Sequence, residues 1–358
     1  MWGPRAAGSL FRMRSMRDER GQAAVSYGGM LAVLGLVFVA LFALGLDGRI
    51  SRAVEGAVCV ITGGSDCEQP DGTTAGADEP YEDSGRADRE VYDADCDNSL
   101  PGDRVREGDD GPTGDSEADA AWENLGRTYD YYRDTFGRDS YDNSGAELVA
   151  TVHFCEKPGE QFNNAYWNGD QMVFGEGYAA PLDVTAHELT HAITDRTADL
   201  VYQCQSGALN ESFSDIFASN VDTDDWEIGE DLPGGPLRDM ADPGRHGDPA
   251  HVDDYDTRPN DSDPFNDHGA VHSNSGIPNH VYYLIVQNIG RKDAEQVMYR
   301  VLTEELEPTS GFEDFRTASL KVARDLYGER SPQYAQIDQS FAAVGLDGSW
   351  VAPEVEGC

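Results

Sequence analysis

Cations are what this chain has least of. Across 358 residues, 26 Lys and Arg stand against 67 Asp and Glu, a formal net charge of −41. Nucleic-acid binding depends on a basic face that releases phosphate counterions, so the composition excludes a nucleic-acid partner. The negative surplus favours solubility and carries no information on fold. No internal repeat is found, and no cysteine pair or quartet has zinc-ribbon spacing. Long apolar runs are missing from all but one stretch near the N-terminus. What remains is 39% hydrophobic and 26% charged, the balance of a globular protein, with length for one large or two modest domains.

The one apolar run, Gly21 to Leu46, holds no charge. A helix crosses a ~30 Å hydrocarbon core in about 20 residues, so this run can span a membrane. Arg5, Arg12, Arg14, Arg17 and Arg20 precede it, which puts residues 1–21 in the cytoplasm and everything after Asp47 outside. The rival is a cleavable signal peptide, with Ala43-Leu44-Gly45 as a small-residue cleavage site; signal h-regions run only about 7–15 residues, which favours an anchor over 22–46. Six cysteines (59, 67, 96, 155, 204 and 358) all follow the run, and an even number in an exported segment suits disulfides. Cys59 and Cys67 are near enough to close a local loop. For Cys155 and Cys204 free core thiols are the alternative, and spacing does not fix connectivity.

Residues 47–90 read as an acidic, Gly-rich linker, too poor in apolar residues to offset the entropy of ordering. Short apolar runs return near Val91. Trp122 to Tyr132 predicts a helix, and the alternation from Glu147 to Phe154 a strand. Beyond Asp183 the apolar spacing becomes helical, with a loop-rich interruption from Asp231 to Asn279.

The chemistry concentrates between Asp183 and His272. His187-Glu188-Leu189-Thr190-His191 sets two histidines four apart, on one helix face, where both imidazoles reach one zinc ion with Glu188 beside it as base. Leu182, Ala186, Leu189 and Ile193 form a packing stripe away from the histidines. Catalytic zinc needs a third protein ligand and an open position. Twenty residues on, Glu211 and Asp215 share a helix face opposite Leu209, Phe213, Ile216 and Phe217. Glu211 can ligate, and Asp215 can accept the other ring N–H of a zinc histidine; the plain alternative is a solvated acidic face.

From Val91 to Leu346 the chain resembles the thermolysin-like neutral metalloproteases. The resemblance rests on Asn163 to Gly169 (a substrate-binding edge strand), His187 to His191, Gly207 to Asp215, Asp225 to Glu230 (a calcium segment) and Asp267 to Gly276 (an active-site histidine loop). It implies an α+β, two-lobed fold. A truncated β-rich N-terminal lobe (91–182) and a mainly α-helical C-terminal lobe (183–346) would follow one transmembrane helix, with residues 347–358 as a tail.

Carried over by position, it implies zinc ligands His187, His191 and Glu211, Glu188 as base or proton shuttle, and Tyr202 and His272 as oxyanion donors. Asp267 would orient His272, and Asn210 and Asp215 would hold the zinc histidines. Asn164, Ala165 and Arg238 would contact the peptide, and Val184, Ile228 and Leu237 would wall an apolar primed-side pocket. One or two structural calcium ions are implied at Asp183, Asp222, Asp225, Glu227 and Glu230. Separately, Arg17 to Tyr27 resembles the leader of small pilin-like proteins, which a prepilin peptidase cuts after the Gly (here Gly21); those leaders carry Glu where this chain has Ser26.

The chain departs from the family in a short Gly177–Pro181 loop and a short Asp231–Pro236 stretch, where a further calcium site is lost. His268 stands where Asn is common, and the short stretch before Val91 is expected to hold no long pro-segment. The implied activity is zinc-dependent peptide-bond hydrolysis outside the cytoplasm, with a protein or peptide substrate and an apolar primed-side preference. The alternative from another class is a catalytically silent surface-binding or assembly protein on the same scaffold.

Overall fold

Alternating side chains build the first lobe around a sheet of short strands. The computed structural model describes residues 83–358. The apolar run, the leader, Cys59 and Cys67 lie outside the described residues, among which no helix is long and apolar enough to cross a membrane. Strands β1 (Arg89–Asp93), β2 (Asp103–Glu107), β3 (Leu148–Val152), β4 (Ala165–Trp167) and β5 (Met172–Phe174) form one mixed sheet in the order β2-β1-β3-β5-β4. β1 and β5 flank β3 in parallel, and the outer strands β2 and β4 pair antiparallel. Leu148, Ala150 and Val152 of β3 point to one face with Val91, Met172 and Phe174, while Val173 turns to the other with Phe154. This is the period of two that a half-covered strand requires.

Helix α1 (Ser116–Phe136) covers the first face with Ala118, Ala121, Trp122, Leu125 and Tyr129. Asp115 caps it, accepting from the backbone N–H groups of Glu117 (2.9 Å) and Ala118 (3.3 Å). From the middle of α1, Asn124 Nδ2 donates to the carbonyls of Ala179 (3.0 Å) and Ala180 (3.1 Å). Those bonds hold the short Gly177–Pro181 loop that feeds α2 (Leu182–Asp195).

The second lobe is helical. Helix α3 (Cys204–Val221) runs through its centre with Leu209, Phe213, Ile216 and Phe217 wholly buried. Around it lie α4 (Asp267–Asn274, its first four residues left-handed), α5 (Gly276–Ile289), α6 (Arg291–Arg300), α7 (Phe312–Tyr327) and α8 (Pro332–Ala343). The stretch expected to be loops to Asn279 contains the two-stranded pair β6 (Glu227–Ile228) and β7 (Arg238–Asp239), then α4 and the start of α5. Helix α5 starts early because Ile277, Val281 and Ile285 repeat every four residues and all reach the core.

Helix α2 differs from the single-stripe amphipath expected of it. Val184, Leu189 and Ala192 pack into the sheet core, and Ala186 and Ile193 into the helical core. Leu182 is only half-buried. The helix is walled on two sides because both lobes close on it.

Two disulfides occur among the described residues, Cys96–Cys155 and Cys204–Cys358, so Cys155 and Cys204 are not free thiols. The first joins the segments that follow the neighbouring strands β1 and β3. Beside it, the His153 imidazole bridges Glu176 (Nδ1, 2.6 Å) and Asp115 (Nε2, 3.0 Å), tying β3 to the cap of α1 and to the loop before α2. Burial works against the imidazolium, but Glu176 and Asp115 raise the pKa above its ordinary 6.5. The stabilisation is therefore full below that ordinary value and is lost as pH rises through the raised one. In urea titrations, the stability gap between the parent and His153→Gln should be widest near pH 6 and should narrow above it; a gap that widens with pH would contradict the bridge.

Candidate active site

His187 and His191 sit one turn apart on α2 with their Nε2 atoms 3.0 Å from each other. Glu211, brought in by α3, places Oε2 3.4 Å from His187 Nε2 and Oε1 3.5 Å from His191 Nε2. Glu211 Oε2 is buried and accepts no hydrogen bond, and so is Glu188 Oε2 on the adjacent turn. A buried carboxylate oxygen without a donor is costly. Two facing imidazole nitrogens and an orphaned carboxylate therefore form a site that a dication would satisfy, with the nitrogen and oxygen donors zinc takes. A second group with donor atoms within 4.8 Å, Asp93, Asp115 and His153, differs in that both imidazole nitrogens already have carboxylate partners.

The other ring nitrogens are fixed from behind. His187 Nδ1–H donates to Asp215 Oδ1 (2.8 Å) and His191 Nδ1–H to Asn210 Oδ1 (2.8 Å), while Asn210 Nδ2 donates to the Leu200 carbonyl (3.1 Å). Asp215 also receives Arg238 Nε and Nη2 (both 2.7 Å) and Asn279 Nδ2 (2.7 Å). Burial opposes its charge, but Arg238 and His187 hold the carboxyl far below the usual range. Burial also opposes the His187 imidazolium, yet Asp215 and Glu211 push its pKa up to about 10; a bound metal ion has to displace that proton.

Tyr202, just before α3, turns its hydroxyl to Glu211 Oε1 and lies 3.2 Å from His272 Nε2. His272 Nδ1–H donates to Asp267 Oδ1 (2.8 Å), and Asp267 Oδ2 accepts from the His272 backbone N–H (3.0 Å). Burial alone would lower the His272 pKa, but Glu211 and Asp267 raise it. The loop that carries this pair is unusual. Asp267, His268, Gly269 and Ala270 all have φ between 50° and 87°, a left-handed run that costs about 1–2 kcal/mol at each non-glycine residue. His268, the departure from the family pattern, packs its ring edge-on to Tyr202.

These groups open on a cleft of about 700 Å³, lined by Ala165 of the edge strand β4, by Asn164 just before it, and by Val184, Ile228, Leu237 and Arg238. The outer side of an edge strand is free to pair with an extended peptide. Arg238 lines the cleft with Nε and Nη2 committed to Asp215. Trp167, within the expected edge-strand segment, and Asp195 and Asp199 also line the cleft, and the indole of Trp167 donates to Asp195 (2.7 Å); nothing in their spacing marks Asp195 and Asp199 as cleft residues.

Of the expected calcium carboxylates, four repel one another. Burial, Asp183 and its acidic neighbours Asp225 and Asp222 push Glu230 up to about 8, and burial with Asp222 pushes Asp183 up to about 6. Glu230 Oε2 is buried without a partner. Oxygen donors starved of a cation fit calcium. Glu227 differs, since it is paired with Arg245.

Residues 71–195 match the family described as thermolysin metallopeptidase, catalytic domain, and residues 198–346 its α-helical domain. Neutral protease NprE of Bacillus pumilus is 44% identical over 232 residues, 62% of this chain and 75% of that protein. The chain belongs to the thermolysin metallopeptidases. These are zinc metalloendopeptidases that use catalytic zinc and structural calcium. Bacillolysin of Brevibacillus brevis is 43% identical over 283 residues, 72% of this chain and 51% of that protein. An extracellular elastase of Staphylococcus epidermidis is 43% identical over 232 residues, 61% and 44% respectively. The chain spans about half the length of these last two relatives. A solved structure, the precursor of protealysin, a metalloproteinase from Serratia proteamaculans, superposes with a TM-score of 0.65 at 33% identity, over 75% of this chain and 90% of that one.

Asn279 is the functional contact that sequence reasoning missed. It lies three residues beyond the histidine-loop motif, and only the packing of α5 against α3 brings it to Asp215. Removing a buried ion's partner typically costs about 3–5 kcal/mol. Asp215→Ala, which strands Arg238, should lose stability on that scale in denaturant titrations; a loss below about 1 kcal/mol would mean that the buried pair does not hold the site.

Proposed function

We propose that this chain is a zinc endopeptidase in which His187, His191 and Glu211 hold the metal. The observation that carries the reading is the meeting of two imidazole Nε2 atoms with a buried, unpartnered Glu211 oxygen at the floor of a peptide-sized cleft. Bound zinc supplies Lewis acidity to the scissile carbonyl and acidifies the attacking water. Glu188, one residue from a ligand and with an unpartnered oxygen, takes the water's proton and delivers it to the leaving amine. The Tyr202 hydroxyl and the His272 imidazolium donate to the oxygen on which negative charge develops, with Asp267 holding His272 in the donating orientation. The free side of β4 at Ala165, with Asn164 just before it, aligns the peptide, and Val184, Ile228 and Leu237 favour an apolar side chain on the primed side. Asp183, Asp222, Asp225 and Glu230 hold structural calcium beside the start of α2, with Glu227 turned to Arg245. The complete set of groups around Glu211 counts against the catalytically silent alternative.

The domain works outside the cytoplasm, delivered there by the run from Gly21 to Leu46, either retained as an anchor or cut away. Two disulfides and the kinship with a protein named extracellular elastase support that placement.

Glu188→Gln should retain about one zinc per chain and lose at least ~10²-fold in peptide hydrolysis, whereas Glu211→Ala should lose the metal itself. Normal turnover by Glu188→Gln would sink the mechanism. Calcium should raise the melting temperature, by about 2.7 kcal/mol of stabilisation at a hundredfold excess over Kd. The Asp225→Asn/Glu230→Gln variant should not respond; an equal shift in both proteins would mean that these carboxylates do not hold the calcium.

A further inference from the structure

We propose that the Cys204–Cys358 disulfide is a positioning element of the active site, clamping the left-handed loop Asp267–Ala270 onto the start of α3 and so fixing His272 against Tyr202. This rests on the reading of Tyr202 and His272 as oxyanion donors.

Three sets of contacts meet at the bridge. On one side, Cys204 opens α3 two residues after Tyr202, itself in a left-handed conformation (φ 53°). On the other, Cys358 ends a tail held by Asn260, whose backbone N–H donates to the Glu356 carbonyl (2.8 Å). The Asn260 side-chain Nδ2 donates to the Gly357 carbonyl (3.0 Å) and to Gln203 Oε1 (3.1 Å), the latter beside Cys204. Between them lies the loop. Gly269 packs directly on the bridge, so close that a Cβ there would stand 3.1 Å from both sulfurs. One residue beyond the run, Val271 packs on Gly207 of α3, where a Cβ would come within 2.5 Å of it.

The physical need for a clamp is clear from the backbone. Four successive left-handed residues, three of them not glycine, persist only where their surroundings over-determine them. The loop's own bonds, Asp267 to the His272 ring and backbone, fix His272 relative to the loop and leave the loop's seating on α3 to packing. The disulfide supplies that seating from the helix that carries Glu211. Tyr202 precedes the bridge and His272 follows the loop, so the crosslink sets the 3.2 Å separation between their donor atoms.

The test compares the full-length zinc-loaded chain with Cys204→Ala/Cys358→Ala. Displacing an oxyanion donor by a fraction of its 2.7–3.1 Å reach should lower kcat by ~10- to 100-fold, with KM within about twofold and zinc content unchanged. In a His272→Ala background the same double substitution should change kcat by less than about twofold, because the group it positions is gone. Amides of residues 267–272 should exchange faster. An unchanged kcat, a rise in KM alone, loss of zinc, or an equal fall in the His272→Ala background would each overturn the clamp. Should the double variant fail to fold, a chain that keeps only Cys204 and Cys358, with Cys59, Cys67, Cys96 and Cys155 all changed to Ala and shown active before treatment, gives the same comparison on exposure to a phosphine reductant, with reoxidation expected to restore kcat and failure of reduction to affect it overturning the proposal. A parent with no peptidase activity would defeat the proposed function instead.

Discussion

A single buried carboxylate organises this molecule. Asp215, wholly inaccessible to solvent, accepts from His187 on α2, Arg238 on β7 and Asn279 on α5 while standing on α3. Burying a lone carboxylate would be prohibitive, and it is tolerated here because every bond it receives is charge-assisted or from a fixed amide. Four elements from distant parts of the chain thus share one anion. The His187 ring cannot rotate without unpairing it, and neither can Arg238. The orientation of the first zinc ligand is consequently as well fixed as the helical core.

The same economy of cations runs through the rest of the site. With so few Lys and Arg, the chain cannot neutralise its clustered carboxylates by ordinary ion pairs. Where a cation is present it is committed to buried or clustered carboxylates, as Arg238 is to Asp215 and Arg245 is to both Glu227 and Asp239. Where none is present, carboxyl pKa values climb, as at Glu230 and Asp183. Divalent ions would balance such groups in their charged form, and the family's use of zinc and calcium meets that electrostatic need.

Much of this was legible in the sequence because it is local. Four-residue spacing within one helix places His187 and His191 together, and the opposed faces of residues 209–217 put Glu211 and Asp215 on the side away from Leu209 and Phe213. What local spacing could not carry was whatever depends on a second element. The stripe on α2 was expected to have one side, yet Leu189 and Ala186 serve different cores because the lobes close on both flanks. Glu227 matches the calcium pattern by position and also pairs with Arg245, a partner 18 residues away across the β6–β7 pair. Asn279, and the pairing of Cys204 with Cys358, are likewise products of packing, with no periodicity to announce them.

The placement of α2 ties the geometry of the site to the packing of both lobes. Its flanks complete two hydrophobic cores, and the remaining side presents His187, Glu188 and His191 to the cleft. The cleft lies between β4, which belongs to the sheet core through Ala165, and Ile228, which belongs to the helical core. A loosening of either core moves one wall of the cleft relative to the metal ligands, whose donor atoms must be held to within a fraction of an ångström. The short Gly177–Pro181 loop, tied down by Asn124, limits that movement where α2 begins, and the His153 bridge limits it one step further back. The active site is in this sense a property of the interface between the lobes, and α2 is the element through which both lobes hold it.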